Sequence, residues 1–171
     1  MDKNYIDLHI HTTNSDGYFS PKEIVEMASK NDTSLIAISD HDSICGLPEF
    51  KENLKFGMHG IAGVEFSSYI MLNNKKIKLH ILGYGFDENN IKMLNLLQEM
   101  KEKRVAAHIK LLNFAKMKLL NLPEDSLSRI NMERYCWFDR EFIKCLEQDN
   151  YSMDDINYYR DYFKNNRFSY G

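Results

Sequence analysis

His9 and His11 stand two residues apart between Ile6, Leu8 and Ile10, and their spacing already suggests chemistry. Side chains on a strand point to opposite faces in turn. A strand over Tyr5–Ile10 therefore gathers Ile6, Leu8 and Ile10 on one face and Asp7, His9 and His11 on the other. Two imidazoles so placed can close on one metal ion. Asp16 follows at a turn, where Gly17 gives the backbone freedom to bend. Alone, the pair reads equally well as a polar strand end with two solvated histidines.

Later positions repeat the pattern. Asp40-His41-Asp42 follows directly on the apolar run Leu35–Ser39, so His41 sits at the carboxyl end of a strand. That edge is where sites are built in parallel α/β sheets and barrels. The plainer reading is a solvated turn with a capping aspartate. Glu65 lies inside the run Ile61–Ser67, and a glutamate is rarely buried without a partner. The partner is either a metal or a salt bridge across the core. His80 again stands near a strand end, ahead of Gly83 and Gly85, whereas His59 has no such setting and reads as a surface residue.

The elements that must position these residues can be read in order. Ser20-Pro21-Lys22-Glu23 opens a helix with an N-cap, a first-turn proline and a reciprocal capping glutamate. Ile24, Met27 and Ala28 form its stripe, and it ends at Lys30-Asn31-Asp32. Leu35–Ser39 reads as a strand buried on both faces. Strand, helix and strand make a βαβ unit with a right-handed crossover. A short helix carries Leu47, Phe50 and Leu54, with Pro48 in its first turn. Tyr69–Leu72, Asn73-Asn74 and Lys75–His80 form a hairpin, since Asn-Asn tolerates the positive φ of tight turns. A long helix runs from about Glu88 to Leu120 with Ile91, Leu94, Leu97, Leu111 and Ala115 inward. Two more helices, Asp139–Glu147 and Met153–Asn165, lie in an aromatic-rich stretch after Pro123, suited to core or interface.

Composition narrows the class. The 171 residues suit one domain, and 43% hydrophobic with 27% charged residues is the globular range. A net charge of −3 offers no basic surface for nucleic acid, though a nucleotide or a DNA end stays open. No apolar run is long enough to span a bilayer and no signal-peptide core is present, so the expectation is a soluble cytoplasmic protein. Cys45, Cys136 and Cys145 are odd in number and widely spaced, which is neither a disulfide framework nor a thiolate zinc site.

Taken in order, Asp7-Leu8-His9-Ile10-His11 with Ser15-Asp16-Gly17, Ile38-Ser39-Asp40-His41-Asp42, Gly63-Val64-Glu65-Phe66-Ser67 and His80-Ile81-Leu82-Gly83-Tyr84 resemble the PHP (polymerase and histidinol phosphatase) family. The resemblance is close over residues 5–86 and looser beyond. It implies an α/β fold, a distorted seven-stranded β/α barrel, with two or three divalent metal ions (zinc, manganese or iron) at its carboxyl end. A first metal would take His9, His11 and Glu65. Glu65 would bridge to a second that also takes His80, and a third would take Asp16 and His41. Asp7, Asp40 and Asp42 would orient the histidines by accepting their free ring N–H groups. The implied activity is hydrolysis of a phosphate ester, mono- or diester, by a metal-activated water, with Glu65, His41 and Arg104 as catalytic residues.

The sequence also departs from the family. After His80 it has only His108, and it lacks the family's late histidine and final Asp-x-His. A complete β/α barrel runs to about 250 residues. The expectation is an incomplete barrel: residues 1–86 form its first, metal-binding part, and a helical segment, 87–171, continues the same domain. Arg104 is either a phosphate clamp or a stem covering apolar surface; His108, four residues on, reads as a satisfied core histidine. The expected partner is a small phosphorylated substrate, and the uncovered barrel edge points to a homo-oligomer. Two other classes stay in view: a polymerase-associated proofreading nuclease module, and a non-catalytic remnant that binds metal or a partner.

Overall fold

The structure, a computed structural model, describes residues 5–118, 129 and 138–165. The expected helix end at Leu120, Cys136 and the remaining aromatic-rich stretches lie outside these, as do the side chains of Leu111 and Ala115. The chain divides into two compact units, Met1–Gln98 and Glu99–Gly171.

The first unit begins with β1 (Tyr5–Ile10), α1 (Pro21–Lys30), β2 (Thr33–Ile38) and α2 (Leu47–Asn53). The capping box forms as its residues dictate: Ser20 Oγ accepts from the Glu23 N–H at 3.3 Å, and the Glu23 carboxylate accepts from the Ser20 N–H at 2.8 Å. A cap of this kind contributes about 1 kcal/mol. Ile24 and Val25 of α1, Ile36 and Ile38 of β2, and Leu47 and Phe50 of α2 form one buried cluster, with Met27, Ala28 and Ile10 against it. β1 and β2 pair in parallel, as do β2 and β3 (His59–Leu72). Ile36, Ala37 and Ile38 are all fully buried, as a central parallel strand requires.

Two expectations need correction here. The runs around Glu65 and Tyr69 belong to one continuous strand, β3, because β4 (Lys75–Tyr84) pairs with it from Gly63↔Tyr84 to Leu72↔Lys75 without a break. Unbroken pairing carries the strand through Ser67-Ser68, where composition suggests a pause. The alternation in β1 is also imperfect. Its register against β2 shifts between Tyr5 and Ile6 and again between Asp7 and Ile10, and Ile6 is exposed. β1 is an edge strand in the order β1-β2-β3-β4, so nothing among the described residues covers its outer positions. The hairpin turn is as read, with Asn73 and Asn74 at φ 50° and 59°.

The four strands curl. β1 touches β3 although β2 lies between them, and the Tyr84 hydroxyl of β4 reaches back to β1. This is the first part of a β/α barrel, open along β1 and β4 among the described residues.

The second unit holds most of α3 (Ile91–Lys118), with α4 (Phe138–Gln148) and α5 (Met153–Asn165). Phe142, Ile143 and Leu146 are buried as the stripe of α4 predicts, with Ile156 of α5 also buried and Tyr159 edge-on to Phe142 at 5.8 Å. Leu97, Arg104 and His108 are buried on α3, while Ile91 is exposed.

Candidate metal centre

All six donors named from the sequence in the first unit meet where the carboxyl ends of β1 and β2 face the middle of the β3–β4 hairpin. Glu65 is the floor. His9 Nε2 and His11 Nε2 each lie 3.1 Å from Glu65 Oε2 and 3.1 Å from each other. Three donors about 2.0 Å from a common ion are themselves about 3 Å apart. The triangle thus has the size a first-row divalent ion requires, and two ring nitrogens so close to one carboxylate oxygen are the donor types such ions take. His80 Nδ1 lies 2.8 Å from the other Glu65 oxygen, Oε1. Ser67 pairs with His80 across the hairpin and Glu65 stands two residues earlier on the same face, so this contact is the diagonal of an antiparallel ladder. His11 Nδ1 lies 3.2 Å from Asp16 Oδ1, and His41 Nε2 3.9 Å from Asp16 Oδ2. Three groups of donors could each hold an ion: His9, His11 and Glu65; His11, Asp16 and His41; His41, Glu65 and His80.

The backbone around these donors is stitched by the aspartates of the motifs, though in a different way from the one expected. Asp40 accepts from the Thr12 N–H and the Thr12 hydroxyl, both at 2.7 Å, and from the Ser15 hydroxyl. Asp42, at φ 47°, accepts from the Ser67 N–H at 2.7 Å, and Asp7 from the His9 backbone N–H at 3.3 Å. Asp40 therefore holds the loop after β1, and Asp7 the backbone of β1 itself, rather than imidazole rings. A buried carboxylate takes two or three donors to satisfy it, and the small hydroxyls of Thr12 and Ser15 stand nearer to Asp40 than any ring. Gly17 has its role by close approach: a Cβ there would meet the His11 carbonyl oxygen at 2.2 Å.

Electrostatics favour a neutral His41 ring beside a charged Glu65 carboxylate. Burial pushes the His41 imidazole down to about 4, against the pull of Glu65 and Asp16, with His11 and His80 adding to the lowering. Burial by itself would raise the Glu65 carboxyl; hydrogen bonds from His9 and His80 and the charge of His41 outweigh it and hold it below the usual range. Neutral imidazole and ionised carboxylate are the ligand forms. The side chains of His9 and His80 stay 48% exposed while that of Glu65 is 4% exposed, so the cluster is closed beneath and open above.

Residues the sequence reading gave no role also shape the site. Thr12 and Ser15 lock the first loop, and their signal was only their place between His11 and Asp16. Tyr84 donates from its hydroxyl to the Leu8 carbonyl at 2.6 Å; burial raises its phenol, with the charges of Glu65 and Asp7 adding, so it remains a donor at neutral pH. Ser39 Oγ is fully buried and has no hydrogen-bond partner among the described residues. Arg104 and His108 belong to the other unit, where both are buried one turn apart.

Comparison with known proteins follows the same line. The family model described as PHP domain matches residues 7–169. A 5'-3' exoribonuclease of Haemophilus influenzae is 41% identical over 105 residues, 61% of this chain and 36% of that protein. A phosphoribosyl 1,2-cyclic phosphate 1,2-diphosphodiesterase of Eggerthella lenta is 26% identical over 161 residues, 93% of this chain and 61% of that protein. In fold, a metal-dependent phosphoesterase candidate from Bifidobacterium adolescentis superposes with a TM-score of 0.69 at 20% identity, over 98% of this chain and 58% of that one. The chain thus spans between about a third and three fifths of the length of these relatives.

Proposed function

Because the chain belongs to the PHP family, we propose that it is a metal-dependent phosphoesterase acting on a small phosphorylated substrate, with residues 1–86 as the metal-binding part of one domain that 87–171 continue. The observation that carries this is the triangle of His9, His11 and Glu65 with 3.1 Å sides, extended by His80 and by Asp16 with His41. A neutral imidazole offers one lone pair, so neither His11 nor His41 can serve two ions at once. One division uses each ring once: His9, His11 and Glu65 for a first ion, Glu65 and His80 for a second, Asp16 and His41 for a third. Among the described residues, only the first then has three donors, the number a catalytic zinc site uses.

Bound there, zinc, manganese or iron would supply Lewis acidity toward phosphoryl oxygens and lower the pKa of water. The chain's own part is positional. Glu65 would hold the first two ions through its two oxygens, and burial keeps the His41 ring neutral. Asp40 holds the loop of Asp16 through Thr12 and Ser15. Arg104 is assigned to grip phosphate, on the fit of its planar fork to phosphate oxygens.

Elemental analysis after mild dialysis, without chelators, tests the reading together with hydrolysis of p-nitrophenyl phosphate and bis(p-nitrophenyl) phosphate. At least one metal per chain and metal-dependent turnover of either ester is the expected result. Metal without turnover would instead identify a non-catalytic metal-binding module. A nucleic-acid end is a second reading, supported by the name of the Haemophilus relative; release of nucleotides from a short 5'-phosphorylated RNA would favour it.

A further inference from the structure

Tyr84 closes β4 opposite Gly63 of β3, and its ring lies across that glycine: a Cβ at Gly63 would come within 3.3 Å of Tyr84 Cε1 and 2.5 Å of the Ile38 carbonyl oxygen. From there its hydroxyl donates to the Leu8 carbonyl of β1 at 2.6 Å. In a flat sheet β4 and β1 would stand three strand spacings apart, about 14 Å, far beyond the reach of a tyrosine. The bond is thus a chord across the concave face, joining the first and last strands of the described sheet.

Each end of the chord sits beside metal-site donors. Leu8 precedes His9 and lies in the stretch where three steps of β1 span two of β2, so the regular ladder fixes it least. Gly63 stands two residues before Glu65, and Tyr84 four after His80. The edge strand that carries His9 and His11 has no neighbour on its outer side among the described residues. Apart from its own histidines' contacts with Glu65, its place among the described residues is held by β2, by the Asp40 bonds to Thr12 and Ser15, and by this cross-sheet hydrogen bond.

Given the metal centre proposed above, we propose that Tyr84 is a positioning residue for it. The hydroxyl holds the irregular part of β1 so that His9 and His11 stay within bonding range of the ion they share with Glu65. Gly63 is part of the same device, because a side chain there would clash with the Ile38 carbonyl and press on the ring.

Tyr84→Phe keeps the ring over Gly63 and removes the hydroxyl alone. Metal-free parent and Tyr84→Phe chains would be titrated with zinc against a chromogenic chelator, alongside Ser20→Ala, which loses a helix cap whose hydrogen bonds go to Glu23 and to none of the donors. Tyr84→Phe should weaken the tightest zinc site roughly 10-fold or more, the usual effect of losing a group that orients ligands. Ser20→Ala should leave zinc affinity within twofold of the parent. Backbone amides of His9–His11 should also exchange faster in metal-free Tyr84→Phe than in the parent. Equal zinc affinity in Tyr84→Phe and a zinc-binding parent overturns the positioning role alone. The same holds if Ser20→Ala weakens zinc as much, because general destabilisation would then explain the loss. A parent that takes up no zinc overturns both this role and the metal reading beneath it.

Discussion

Glu65 concentrates more of the site's chemistry than any other described residue, because four imidazoles lie within 3.3 Å of its two oxygens. Glu65→Gln keeps the shape and removes the charge, so phosphatase turnover should fall roughly 100-fold or more, with metal content falling alongside. Arg104→Ala should lower turnover less and leave metal content unchanged. Equal turnover by Glu65→Gln and the parent would refute the bridging role. His41 sets a pH dependence in the metal-free protein. Its folded-state pKa is about 4, below the unfolded value of 6.5. Between those values the unfolded chain binds the extra proton, so stability is lost as pH falls from 6.5 toward 4, by at most about 3 kcal/mol. Glu65, also lowered, acts in the same direction. Thermal melts in chelator should therefore show a lower Tm at pH 5 than at pH 7, and His41→Asn should flatten the difference.

At the scale of elements, the loop between β1 and α1 is what brings Asp16 to His11. Asp40 anchors its Thr12 and Ser15, and Gly17 passes so close to the His11 carbonyl that no side chain fits. Gly17→Ala must displace backbone, at a cost of about 1–3 kcal/mol. It should lower the Tm and remove the weaker metal uptake assigned to Asp16 and His41 before that of His9, His11 and Glu65. Stoichiometry against added zinc would show this order; loss of the tight site first would contradict it. The β3–β4 hairpin acts more simply. Its register sets Glu65 diagonal to His80, and the two asparagines of the turn fix that register.

For the whole molecule, exposed apolar side chains gather on the described sheet's edge strands and on the hairpin: Tyr5 and Ile6 on β1, Ile70, Met71 and Leu72 on β3, Ile77, Ile81 and Leu82 on β4. Edge strands with such side chains pair readily with another chain. Self-association is the expected behaviour at micromolar concentration, read by static light scattering as a mass above 20.2 kDa. A monodisperse monomer would show that the edges are covered without a second copy. No helix among the described residues is long and apolar enough to cross a membrane.

The six side chains that the structure brings together were legible because each is announced locally. His9 and His11 alternate with apolar residues, His41 follows a buried strand, His80 stands in the hairpin strand ahead of Gly83 and Gly85, and Glu65 is a charge inside an apolar run. Hydrophobic period and capping chemistry are properties of a few consecutive residues, so the βαβ unit, the capping box and the Asn73-Asn74 turn were equally readable. Other features depended on residues far apart in the chain. The shifts in β1 arise from pairing with β2. The single length of β3 arises from its ladder with β4, and Asp40's choice of Thr12 and Ser15 over imidazole rings depends on which donors the fold brings nearest. Tyr84 is the clearest case, since nothing in a tyrosine near a strand end indicates a partner 76 residues earlier. Local sequence determined which groups could bind a metal; the curl of the sheet, a sum of pairings along the whole chain, decided how far apart they stand.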